Sequence, residues 1–80
     1  MKEGIYYMTK RKKLRDYTIP QLDRFRQLCN FTDSELEYFN LKSKDLSNTA
    51  ISIRMNISIS QVSVLASRVF NKIQKIEENL

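Results

Sequence analysis

From Val62 onward the chain sets apolar residues at Val62, Ala66, Val69, Ile73, Ile76 and Leu80, in steps of 4, 3, 4, 3 and 4. Side chains three or four apart share one face of an α-helix, whereas a strand needs steps of two. The stripe therefore predicts one long helix over residues 59–78, and the remaining apolar residues must cover its inner face. A single Gly and a single Pro in 80 residues leave little material for tight hairpins or a β-sandwich. Strand-like alternation is confined to Ser52-Ile53 and Ile57-Ser58-Ile59-Ser60. The expected fold is all-α, a small bundle of about four helices with a long one at the C-terminus.

Start signals place the other three helices. Thr18 caps a helix over 19–29, with Pro20 in the first turn, where its missing N–H costs nothing. Its apolar face is Ile19, Leu22, Phe25 and either Leu28 or Cys29. Thr32 and Glu35 have capping-box spacing and Phe31 and Leu36 that of a hydrophobic staple, opening a helix over 33–43. Leu36, Phe39 and Leu41 are its inward residues. Ser47 caps a short helix over 48–55, with Ala50, Ile51 and Met55 inward, and Ser58 caps the long one. Ahead of these, residues 1–17 show no apolar period and read as a basic, partly flexible arm, from which Tyr6, Tyr7 and Tyr17 can dock on the core. Residues 18–80 read as the folded domain. Met8 is an alternative start.

The net charge is +5, and the arm holds most of it through Lys10-Arg11-Lys12-Lys13 and its neighbours. Such an excess suits a polyanionic partner. His is absent and there is one Cys, which removes the commonest general base and any Cys-based zinc site. No Gly-x-x-x-x-Gly-Lys-Ser/Thr loop and no His-Glu-x-x-His stand in the chain. Asp33, Glu35 and Glu37 lie at a capped helix start, where carboxylates favour the dipole. Cys29 has no His to activate it and reads as a small buried residue. Neither enzymatic activity nor a metal or cofactor is expected. With no apolar run of about 18 residues, no secretory start and a reduced Cys29, the expected location is cytoplasmic, without a membrane partner.

A short helix and a long one joined through an inward Ile57 describe a helix-turn-helix, in which the first braces the second so that its leading turns protrude. A helix about 10–12 Å across fits the DNA major groove. Residues 31–73 resemble the DNA-binding domain of the LuxR family, which shares its layout with region four of bacterial sigma factors. The family's Leu-Thr-x-x-Glu-x-x-Val-Leu meets Phe31-Thr32-Asp33-Ser34-Glu35-Leu36-Glu37-Tyr38-Phe39. Its Gly-Leu-Ser-Asn-x-x-Ile-Ala-x-x-Leu meets Asp45-Leu46-Ser47-Asn48-Thr49-Ala50-Ile51-Ser52-Ile53-Arg54-Met55. Its Ile-Ser-x-x-Thr-Val meets Ile57-Ser58-Ile59-Ser60-Gln61-Val62, and its Ile-x-x-Lys-Leu meets Val69-Phe70-Asn71-Lys72-Ile73, all without a gap. The resemblance implies sequence-specific binding of double-stranded DNA by a small transcriptional regulator. The departures are equally specific. Asp45 replaces a family Gly, so the helix end there is expected to close differently. Gln61, Ser63 and Leu65 stand where the family carries Thr, Lys and His, and the family's own fourth helix has no separate counterpart.

Read as a probe, the last helix turns Ile59, Ser60, Gln61, Ser63, Val64, Ser67 and Arg68 outward. Gln61 would pair with adenine, the serines with bases or phosphates, Val64 or Ile59 with a thymine methyl, and Arg68 with guanine or phosphate. The alternative is that Ser and Gln solvate the face while Ile59 and Val64 dock a protein. Lys10, Arg11, Lys12 and Lys13 would lie along phosphates or in a minor groove, or else form a solvated tail. The resemblance puts Asn48, Thr49, Arg54 and Lys72 at or near phosphate. Ile73, Ile76 and Leu80 are covered either by the 19–29 helix or by a second copy, as the seam of a homodimer. The rival function is a protein-interaction module, an anti-regulator or a sigma-like adaptor that touches RNA polymerase or another regulator.

Overall fold

The computed structural model describes residues 13–78, which form four α-helices and no strand. They are α1 (Ile19–Leu28), α2 (Asp33–Ser43), α3 (Asn48–Met55) and α4 (Ile59–Glu78), preceded by a 3-10 turn at Leu14–Asp16. The all-α expectation holds among the described residues.

Each helix opens on a side-chain cap. The Gln21 N–H donates to Thr18 Oγ1 while the Thr18 N–H donates to Gln21 Oε1, at 3.3 and 2.8 Å. Thr32 and Glu35 make the same reciprocal pair, at 3.2 and 3.0 Å. Ser47 Oγ accepts from the Ala50 N–H, and Ser58 Oγ accepts from the Gln61 N–H while Gln61 Oε1 takes the Ser58 N–H. These bonds satisfy amide donors that the helix ladder leaves unpaired. The exits are equally local. Asn30, Asp45 and Asn56 take φ of 54°, 67° and 59°, the left-handed region that a glycine fills without cost. Asp45 thus corrects the expectation of a different closure: the end of α2 closes on the conformation a Gly would take, at roughly 1 kcal/mol.

The core gathers Leu14, Leu22, Phe25, Cys29, Tyr38, Phe39, Leu41, Ile51, Val62, Leu65, Val69 and Ile73. Several positions depart from the expected faces. On α1 the buried row is Leu22, Phe25 and Cys29, whereas Ile19 is 74% exposed and Leu28 also faces outward. On α2, Tyr38 and Glu35 are buried and Leu36 only partly so, because α4, α3 and the 3-10 turn all pack on this helix. The docking expected of Tyr17 is seen, Tyr6 and Tyr7 lie outside the described residues, and Leu14 of the expected arm joins the core as well. Leu14 is buried, and the Tyr17 ring meets Phe25 edge-on at 5.1 Å while its hydroxyl donates to Glu77 Oε2 at 2.7 Å. Burial first, and that carboxylate second, hold the Tyr17 phenol well above its ordinary pKa.

The dimer-seam reading needs correction at Ile73, which is buried within the monomer. Ile76 packs partly buried against the same core, and Leu80 lies outside the described residues. A side chain already enclosed by its own chain has no apolar surface to offer a second copy.

Candidate nucleic-acid interface

The arrangement of interest is α3, the turn over residues 56–58 and α4. Asn56 reverses the chain in its left-handed conformation, and the Ile57 N–H donates to Ser52 O at 3.0 Å, which tucks Ile57 against the core. Ile51 from α3 and Val62 from α4 are fully buried, so the short helix is fixed against the first turns of the long one. A polar clamp holds the other end of α3. Tyr38 Oη and Lys42 Nζ both donate to Asn48 Oδ1, at 3.3 and 3.4 Å, and Lys42 Nζ also donates to Leu46 O at 3.3 Å. Burial raises the Tyr38 phenol pKa, so its proton stays on this bond at neutral pH.

With Val62, Leu65 and Val69 facing inward, Ser60, Gln61, Ser63, Val64, Ser67 and Arg68 are all exposed along α4. Ser60, Val64 and Arg68 recur every fourth residue and make one row, with Ser63 and Ser67 beside it. Leu65 sits in the core, which explains why a groove-reading polar residue has no place at that position. An open cleft of about 350 Å³ lies between α4, the end of α3 and the start of α2, and Val64 and Arg68 of the row form its wall opposite Thr32 and Ser34, with Met55 and Ile57 at its side. No Asp or Glu occurs from residue 46 to residue 76, so the α3–α4 unit presents only basic and neutral side chains until Glu77. Sequence reasoning passed over Lys75, exposed seven residues beyond Arg68 on the same side of α4. The signal was available in that i, i+7 spacing.

Other expected contacts fare unevenly. Thr49 and Arg54 are exposed, and Lys13 is exposed next to the 3-10 turn, while Lys10, Arg11 and Lys12 lie outside the described residues. Asn48 is half-buried with its carbonyl oxygen inside the Tyr38–Lys42 clamp, so its side chain is structural, and its backbone N–H is one of those the helix ladder leaves unpaired at the start of α3. Gln61 is exposed, but its carbonyl oxygen closes the Ser58 capping box. A bidentate adenine contact uses both ends of the amide, and here only the NH₂ end is available.

Lys72 is the clearest correction. Its ammonium donates to Glu35 Oε1 and to Asn30 O at 3.2 Å and lies 5.9 Å from the centre of the Phe31 ring. Glu35 is 3% exposed. Burial pushes its carboxyl upward, but the Lys72 hydrogen bond, the Thr32 N–H and the nearby charges of Lys72 and Arg68 outweigh that and leave it below its ordinary 4.5. A lysine that neutralises a buried carboxylate is not free to neutralise a phosphate. The neighbouring Cys29 thiol is pushed up to about 11 by burial, partly opposed by Lys72, so it carries its proton at neutral pH.

Among the described residues no group of three or more His, Cys, Asp or Glu could hold a metal ion, and no helix is long and apolar enough to cross a membrane. No protein-family model, curated protein or solved structure matches this chain.

Proposed function

We propose that α3 and α4 form a helix-turn-helix that binds double-stranded DNA in a sequence-dependent way, as in a small transcriptional regulator of the LuxR and sigma region-four type. The observation that carries this reading is the outer row of α4: exposed, free of carboxylates and held rigidly by a short braced helix. Arg68, Ser60, Ser63, Val64 and Ser67 face base edges, and Gln61 contributes its NH₂ group. Thr49 and the first N–H groups of α3 receive one phosphate, where the helix dipole adds to the attraction. Arg54, on the same short helix, and Lys13, beside the 3-10 turn, add exposed positive charge. Lys75 takes the phosphate role that Lys72 cannot fill. A cytoplasmic location follows from this function rather than from the fold.

Arg68→Ala should weaken binding to a preferred site by about 1–3 kcal/mol and relax preference there, whereas Lys75→Gln should weaken all duplexes alike. Fluorescence anisotropy on matched duplexes reads both. Unchanged affinity in the Arg68 variant would remove its assigned role. One observation favours a second reading, an adaptor for polymerase or another regulator. Ile53 on α3 is 76% exposed and has no place in the DNA account. Failure to bind any duplex would leave that protein-docking reading in possession.

A further inference from the structure

We infer that the α4 face selects a site in which a thymine, its methyl packed on Val64, stands next to a guanine contacted by Arg68; this rests on the DNA-binding reading above. The argument begins with what the face can say chemically. Three of its residues, Ser60, Ser63 and Ser67, have short hydroxyls that give to or accept from any base and so discriminate little. Gln61 has lost its acceptor to the Ser58 N–H. Three side chains with distinct preferences remain, Ile59, Val64 and Arg68, and of the two apolar ones only Val64 stands in the row with Arg68, Ile59 being the first residue of α4.

Val64 is 48% exposed in the middle of the row, with Ser60 one turn before it and Arg68 one turn after. An isopropyl group pressed into the major groove has one apolar partner there, the C5-methyl of thymine; against cytosine or a purine edge it covers polar atoms and leaves them unpaired. Arg68 offers two parallel N–H donors that match guanine O6 and N7. The carboxylate-free stretch from residue 46 to 76 gives this face the charge complement of a polyanion. One helical turn separates the two readers, about 6 Å, against about 3.4 Å per base pair. The site therefore holds a thymine one or two base pairs from a guanine, within flanking sequence to which the serines are indifferent.

The test uses the full chain and three duplexes with the same flanks: one with T-G steps, the same with every thymine replaced by deoxyuridine, and one with the T-G steps replaced by C-G steps. The thymine duplex should bind about tenfold more tightly than the C-G duplex, the cost of one wrong base pair. It should exceed the deoxyuridine duplex by about fourfold, the worth of one buried methyl. Val64→Ser, at an exposed position, should keep its melting curve yet bind thymine and deoxyuridine duplexes equally, while Val64→Ile should keep the difference. Wild-type binding of both duplexes with equal affinity would overturn the inference and leave DNA binding intact. Persistence of the difference in Val64→Ser would overturn the assignment to Val64. Absence of binding to all three would remove the DNA reading and this inference together.

Discussion

Phe39→Ala is expected to leave the chain without a cooperative folded state at room temperature. The Phe39 ring is wholly buried, packs at 5.0 Å between ring centres on Phe31, and has the Arg26 guanidinium 5.2 Å from its centre. Arg26 is itself held by Asn40 and Asp23, at 2.9 and 2.6 Å, so the cavity left by the lost ring cannot close by a simple collapse. Removing a buried phenyl ring costs about 3–5 kcal/mol, and a core of this size rarely supplies more than about 3–5 kcal/mol in total. Thermal melting followed by circular dichroism checks it. Ile19→Ala, at a position 74% exposed, serves as the control and should move the midpoint little. A Phe39→Ala midpoint within a few degrees of wild type would contradict the core described above, since 1 kcal/mol shifts a domain this small by roughly 4–8 °C.

Lys72→Met should be the next most damaging change, by about 2–3 kcal/mol. Breaking a buried ion pair costs about 3–5 kcal/mol when both partners are enclosed, and the figure is discounted because Lys72 is 33% exposed. The variant also tests the sign of a pH effect. In the wild type the folded Glu35 carboxyl lies below its ordinary 4.5. Its contribution is therefore complete above the unfolded value and is lost as pH falls through the folded one. Wild-type stability should drop as the solution is acidified below about pH 4.5. Without Lys72 the burial penalty on the carboxylate is met by fewer opposing charges, so protonation no longer removes an ion pair and the acid-driven loss should largely vanish. Adding Glu35→Gln to Lys72→Met should recover part of the lost stability, because no unpaired buried charge is left. Denaturant midpoints at pH 3, 5 and 7 for the three proteins settle the matter; acid profiles of equal steepness in wild type and Lys72→Met would refute the pairing.

What the sequence disclosed and what it hid divide along a physical line. Helix starts were legible because a cap is a contract between residues three apart: Thr18 with Gln21, Thr32 with Glu35, Ser58 with Gln61. The long α4 was legible because its apolar stripe repeats over five turns. Lys72 and Glu35 were opaque, since the pair joins residues 37 apart and each has a sensible local role of its own, a phosphate contact and a cap. Ile73 was ambiguous for a related reason. An apolar residue declares that something covers it, and only the packing of α1, α2 and α3 on α4 shows that its own chain does. Leu14 was missed because a single apolar residue amid Lys and Arg carries no period, although burial at the 3-10 turn makes it core. On the outer face of α4 the exposed positions were legible from periodicity. The engagement of Gln61 by its own cap was legible as well, since it stands three residues after Ser58.

The central claim, that the α3–α4 unit meets DNA, is tested most directly by titrating salt against the affinity of the full chain for duplex DNA. With about six phosphates neutralised, log K should fall with log salt at a slope near −5. No measurable binding at low salt, or an affinity indifferent to salt, would contradict it.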